Sequence, residues 1–250
     1  MQIVLLTALG VGGATVLGAV LGFCFKKISH RFSDLVLAFA AGVMLAAAVI
    51  SLILPSLSYP GGNFPTTVLG VFCGALALTG LDKLVPHLHR LSGADQEAHP
   101  EKTGQLNKVL LFVMAIAIHN LPEGIAAGVG AGSGDTGAAV TIAAGIALQN
   151  IPEGMVIIAP MLAAGMKPGR TFCIALLTGV VEVLGTLLGF FAVRLSAAIL
   201  PFALAFAGGT MLYVISDEMI PETHHGEERG VTWFLLAGFC LMLAMGHYLE

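Results

Sequence analysis

The chain has 250 residues, 57% of them hydrophobic and only 10% charged, with a mean hydropathy of +0.93. This excludes an ordinary soluble domain, where apolar residues make up about 45–50% and charged ones about 25%. The formal net charge of −4 says little about partners by itself; the lipid bilayer is the expected surrounding, and no nucleic acid is expected as a partner.

Eight apolar runs follow one another, at roughly 3–25, 35–55, 65–86, 107–130, 138–163, 171–193, 197–219 and 231–249. At about 1.5 Å per residue, some 20 residues cross a hydrocarbon core of about 30 Å as a helix. The strict alternation over about ten residues that marks a membrane β-barrel is absent. The expected architecture is therefore an all-α integral membrane protein, with eight transmembrane helices in one bundle, a single domain over residues 1–250 and a polar cytoplasmic loop at about 91–104. Lys26, Lys27 and Arg31 follow the first run rather than precede it, so it reads as a retained helix and not as a cleaved signal. If the chain alternates sides, ten of the eleven basic residues fall on one side and only Arg194 on the other. The positive-inside rule then puts both termini outside the cytoplasm of a multi-pass cell (inner) membrane protein.

In chain order, the first residues to stand out are Met44 and Ser51 in the second run. Seven apart, they share a helix face, and packing with helix back-bonding competes with any functional reading. Asp82, His87 and His89 mark the cytoplasmic end of the third run. The fourth and fifth runs carry a repeat, His119-Asn-Leu-Pro-Glu-Gly124 and Gln149-Asn-Ile-Pro-Glu-Gly154, each in the middle of its span. Positions i, i+1 and i+4 of a helix lie within about 100°, so each hexapeptide is expected to turn its three polar groups into one sector. The short link at 131–137 makes the two helices antiparallel neighbours. Pro122 and Pro152 leave the carbonyls of Ile118 and Leu148 without helical donors, and a bend is expected at each. Glu182 adds a third acid at mid-span of the sixth run, with Thr178 and Thr186 a turn away on either side. Asp217, Glu218, Glu222, His224 and His225 form a second polar group at the cytoplasmic end of the seventh run.

The chemistry of the centre follows from charge. An ionised side chain at the bilayer midplane costs about 2.5–3.5 kcal/mol on insertion scales, and three carboxylates near one another also repel. No Lys or Arg lies at that depth, since residues 109–166 and 171–193 contain none. Protons or a divalent cation could neutralise them. His119, Asn120, Gln149 and Asn150 add lone pairs that coordination uses and protonation does not need. One imidazole with carboxylate and amide oxygens suits Zn²⁺, Fe²⁺, Mn²⁺, Co²⁺ or Cd²⁺ better than sulfur-seeking Cu(I). The small-residue spacings Gly18/Gly22, Gly70/Gly74, Gly124/Gly128/Gly132 and Gly185/Gly189 read as ordinary membrane helix packing. Cys24, Cys73, Cys173 and Cys240 are isolated and read as inert packing residues.

With eight spans, the paired motifs and the seventh-run Ile220-Pro-Glu-Thr-His-His225, the chain resembles the ZIP family of divalent-metal transporters, most of all its prokaryotic GufA-like branch. The resemblance implies the ZIP fold and uptake of Zn²⁺ and related ions toward the cytoplasm. It implies one metal site from His119, Glu123, Gln149 and Glu153 and an adjacent one from Asn120, Asn150 and Glu182, with Glu123 and Glu153 able to bridge. Met44 and Ser51 would serve the way in, and Asp82, His87, His89, Asp217, Glu218, Glu222 and His224 the way out. A slide of helices one, four, five and six against the other four is implied in the same way, and a homodimer is a further expected assembly. The chain departs from the family pattern in carrying Gln149 where many members have His and Asn150 where some have Asp.

The expected activity is thus transport of divalent transition-metal ions, with the metal as cargo and no catalytic cofactor. No Gly-x-x-x-x-Gly-Lys-Ser/Thr loop offers nucleotide chemistry. A membrane-embedded metalloenzyme is one alternative, although no His-Glu-x-x-His is present. A carrier or channel for organic ions or protons is the other.

Overall fold

The computed structural model describes residues 2–24, 30–91, 102–223 and 230–249, and among them every regular element is helical. Helix α1 is Gln2–Cys24, and α2 is His30–Ala46, which continues through a π-helical stretch, Ala47–Ile53, into Leu54–Ser58. Helix α3 is Phe64–Leu91, α4 Lys102–Gly132, and α5 Thr136–Val156 with a continuation at Ile158–Ala163. Helix α6 is Pro168–Leu195, α7 is Leu200–Val214 running through a second π stretch, Ile215–Met219, into Ile220–Thr223, and α8 is Val231–Leu249. Seven helices among the described residues, all but α4, are long and apolar enough to cross a membrane. The exterior agrees, because large apolar side chains such as Leu6, Phe64, Leu188 and Trp233 are exposed, as a lipid-facing surface requires. Three of the four cysteines, Cys24, Cys173 and Cys240, are also exposed rather than packed inside; all four are free thiols.

The helices pack as two groups. In one, α4 lies along α6, and α1 lies against α5 and α6; in the other, α3 packs on α7 and α2 on α8. The small residues set these distances. A Cβ on Gly124 or Gly128 of α4 would overlap the carbonyl oxygen of Glu182 or Thr186 on α6, and one on Gly185 would sit 2.6 Å from that of Leu121. Gly18 and Gly154 do the same for α1 and α5, against the carbonyls of Ile151 and Thr15. Such contact of backbones is what holds helices together where lipid supplies no hydrophobic drive. The groups meet through α2 on α5 and α4 on α7, around a core that includes Met44, Ala126, Ile142, Ile146, Met211 and Met242.

Prolines shape the rest. Each π stretch ends one residue before a helical residue and a proline: Leu54 N–H bonds to Val49 C=O ahead of Pro55, and Ile220 N–H to Ile215 C=O ahead of Pro221. A proline ring presses on the carbonyl four residues back, here Ser51 and Asp217, and a widened turn relieves the clash. Pro122 and Pro152 instead stay inside unbroken α-helix, although α5 stops at Val156, a turn beyond Pro152.

Candidate metal centre

The hairpin of α4 and α5 brings the two motifs together. It turns through Ser133 and Gly134, the latter at φ +88°, and α5 starts where the Asp135 carboxylate accepts Ala138 N–H at 3.1 Å. This cap satisfies a first-turn donor and fixes where the helix begins. Gln149 Nε2 then donates to Glu123 Oε1 at 2.8 Å across the hairpin, with both residues fully buried.

The expectation that each motif faces one sector fails for α5. Gln149 turns toward α4, whereas the neighbouring Asn150 turns toward α1 and α6, where its Nδ2 donates to Val11 C=O at 3.2 Å and to Glu182 Oε1. The arc of about 100° between successive residues is wide enough to reach two different neighbours once three helices crowd around one. Thr15 of α1 completes this cluster by donating to Glu182 Oε2 at 2.9 Å. Sequence reasoning missed Thr15, and a single hydroxyl in an apolar run gives no signal. Thr178 and Thr186, by contrast, bond back to the carbonyls of Ala175 and Glu182 on their own helix.

On α4, His119 Nε2 lies 2.7 Å from Glu218 Oε1 on the π stretch of α7. Glu218, read from sequence as part of a cytoplasmic end, thus reaches the motif itself. Asp217 and Glu222 are exposed, Met44 is fully buried, and Glu153 is partly buried. Ser51 is buried with its hydroxyl unpartnered, so it does not bond back to its helix as Thr79, Thr210 and Thr223 do. His224 and the side chains of Asp82, His87 and His89 lie outside the described residues, as does most of the loop expected at 91–104.

Two features give this centre its chemistry. The carboxylates of Glu123, Glu153 and Glu182 are near enough to repel one another, and the stretches around them, residues 109–166 and 171–193, contain no Lys or Arg. Within the two motifs, Asn120 Oδ1, Glu123 Oε2, Gln149 Oε1 and Asn150 Oδ1 are all buried without a hydrogen-bond partner. Buried polar atoms are normally satisfied, and here the orphans are all acceptor oxygens, the atoms a hard or borderline cation binds. No three His, Cys, Asp or Glu side chains among the described residues gather closely enough to hold a metal between them. A cation here must therefore draw on the amide oxygens as well as on the acids.

Comparison with known proteins points the same way. The family model described as ZIP Zinc transporter matches residues 86–246. The chain is 40% identical over 249 residues to zinc transporter GufA of Myxococcus xanthus, covering 96% of each chain. It is 40% identical over 243 residues to zinc transporter ZIPB of Bordetella bronchiseptica, covering 92% of this chain and 76% of the relative. It is 30% identical over 319 residues to zinc transporter ZIP11 of Homo sapiens, covering 93% of each.

Proposed function

The chain belongs to the ZIP family of zinc transporters, and from that premise we propose that it carries Zn²⁺ and related divalent ions toward the cytoplasm through the centre between α4 and α5. The observation that carries this reading is the set of four buried, unpartnered acceptor oxygens beside acids that have no cationic side chain for company. His119, Glu123, Gln149 and Glu153, with the oxygens of Asn120 and Asn150, close on the ion as it enters, His119 leaving Glu218 to do so. Its two positive charges offset the charges of Glu123 and Glu153, which removes the repulsion and the desolvation cost together. Cd²⁺, Fe²⁺, Mn²⁺ and Co²⁺ have the same ligand preferences as far as this oxygen and imidazole set distinguishes them. The relatives are transporters, and the ion is cargo rather than a catalytic cofactor.

All eight helices cross the membrane, with both termini outside the cytoplasm; the distribution of the eleven basic residues supports that orientation. Transport proceeds by α1, α4, α5 and α6 moving against α2, α3, α7 and α8. The support for this division is that glycine-lined backbone contacts lie within each group, while α4 meets α7 through the His119–Glu218 bond. Ser51 and Met44 serve the outer approach, and Asp82, His87, His89, Asp217, Glu222 and His224 the cytoplasmic release.

The test is ⁶⁵Zn²⁺ uptake into proteoliposomes by the parent protein and by Glu123→Ala and Glu153→Ala. Either substitution leaves one negative charge against a divalent ion, and uptake is expected to fall to the level of empty liposomes. Parent-like flux in both variants would refute the proposed site.

A further inference from the structure

Glu182 uses its oxygens differently from Glu123. Glu123 has one oxygen bonded to Gln149 and one without a partner. Both oxygens of Glu182 accept from the protein, Oε2 from Thr15 and Oε1 from Asn150. The Asn150 amide is equally committed. Its nitrogen has two hydrogens, one directed to Glu182 and one to Val11 C=O. With an acceptor on each of two sides, that end of the side chain must be the nitrogen, and Oδ1 is left buried on the other side without a partner. Thr15, Asn150 and Glu182 are all at most 1% exposed. The backbones around them are in contact, since a Cβ on Gly154 would overlap Thr15 C=O and one on Gly12 would stand 2.7 Å from Gly179 C=O. This is a closed clasp between α1, α5 and α6, built from neutral donors around one carboxylate.

Resting on the metal-transport reading above, we propose that Glu182 is a positioning carboxylate and not a cation ligand, and that the centre holds one divalent ion per chain, with Asn150 setting that number. Thr15 and Glu182 orient Asn150, so its Oδ1 is presented to the ion bound by Glu123 and Glu153. Those two acids supply the two negative charges that one divalent ion balances. Glu182 takes its stabilisation from a hydroxyl and an amide, and charge-assisted bonds of that kind keep a carboxylate settled without a counter-ion. An aspartate at position 150 would set an oxygen against both Val11 C=O and Glu182, and three acceptors facing one another call for a cation among them.

The experiment counts Cd²⁺ bound at saturation by the full chain in lipid nanodiscs, by elemental analysis after gel filtration. Ions held by surface histidines are removed by subtracting the count for the double variant Glu123→Ala/Glu153→Ala. The expected difference is one ion for the parent, one for Glu182→Gln and two for Asn150→Asp. Thr15→Val is expected to weaken Cd²⁺ affinity roughly ten-fold, the effect of losing a group behind a ligand, at an unchanged count of one, and Thr15→Ser to restore it. A parent difference of two overturns the proposal, as does a folded, monodisperse Glu182→Gln protein that binds none. An Asn150→Asp protein that still binds one removes the role given to Asn150. A parent difference of zero would instead sink the placement of the metal site at Glu123 and Glu153, a distinct result.

Discussion

The imidazole of His119 is engaged by Glu218, at 2.7 Å, so an ion that takes His119 as a ligand must first break that bond. A hydrogen bond to a charged partner contributes about 1.5–3 kcal/mol. The Glu218 side chain is 30% exposed, and solvent screening brings the figure to about 1–2 kcal/mol. At about 1.4 kcal/mol for each factor of ten, this is roughly a 5- to 30-fold reduction in apparent metal affinity. Glu218→Ala is therefore expected to tighten Cd²⁺ binding by that factor, measured by calorimetric titration of the protein in nanodiscs. In the His119→Ala background the same substitution is expected to do nothing, because the competition no longer exists. Weaker binding in Glu218→Ala would mean that Glu218 is itself a ligand, and unchanged binding would mean that His119 is not one; either refutes the reasoning.

Two further outcomes test the packing. Gly154→Val drives side-chain atoms into the Thr15 carbonyl; overpacking of this kind costs about 1–3 kcal/mol, roughly 2–12 °C in Tm for a chain of this size, whereas Gly10→Ala meets nothing within 4 Å and is expected to leave Tm unlowered. Equal losses in the two variants would show that these helices are not held by backbone contact. Ser51→Ala removes a buried hydroxyl that has no partner, whose burial disfavours folding by about 1–3 kcal/mol, so the variant is expected to be at least as heat-stable as the parent while ⁶⁵Zn²⁺ uptake slows. A Tm fall of more than about 3 °C, near 1 kcal/mol, would show that the hydroxyl is bonded after all.

Hydropathy and charge were enough to read a helical membrane protein and the two mid-span motifs, because burying a charge in lipid is so unfavourable that its mere presence is informative. The short link at 131–137 also made the two motif-bearing helices antiparallel neighbours, and the 2.8 Å bond from Gln149 to Glu123 joins them across that hairpin. The π stretches were less legible. Pro55 and Pro221 were visible in the sequence, but nothing in it says whether a helix answers a proline by widening, as at 47–53 and 215–219, or by continuing, as at Pro122 and Pro152.

The sequence by itself determined the chemical inventory of the centre: acids without bases, an imidazole, amides, and glycines at four-residue spacing. Only the tertiary structure decided how that inventory is divided, with Asn150 and Glu182 drawn to Thr15 and Val11, Glu123 left with a free oxygen, and His119 joined to Glu218. The physical reason is that periodicity fixes the angle at which a side chain leaves its own helix, while its partner depends on which neighbouring backbones approach closely. That in turn is set jointly by glycines on two helices distant in the chain.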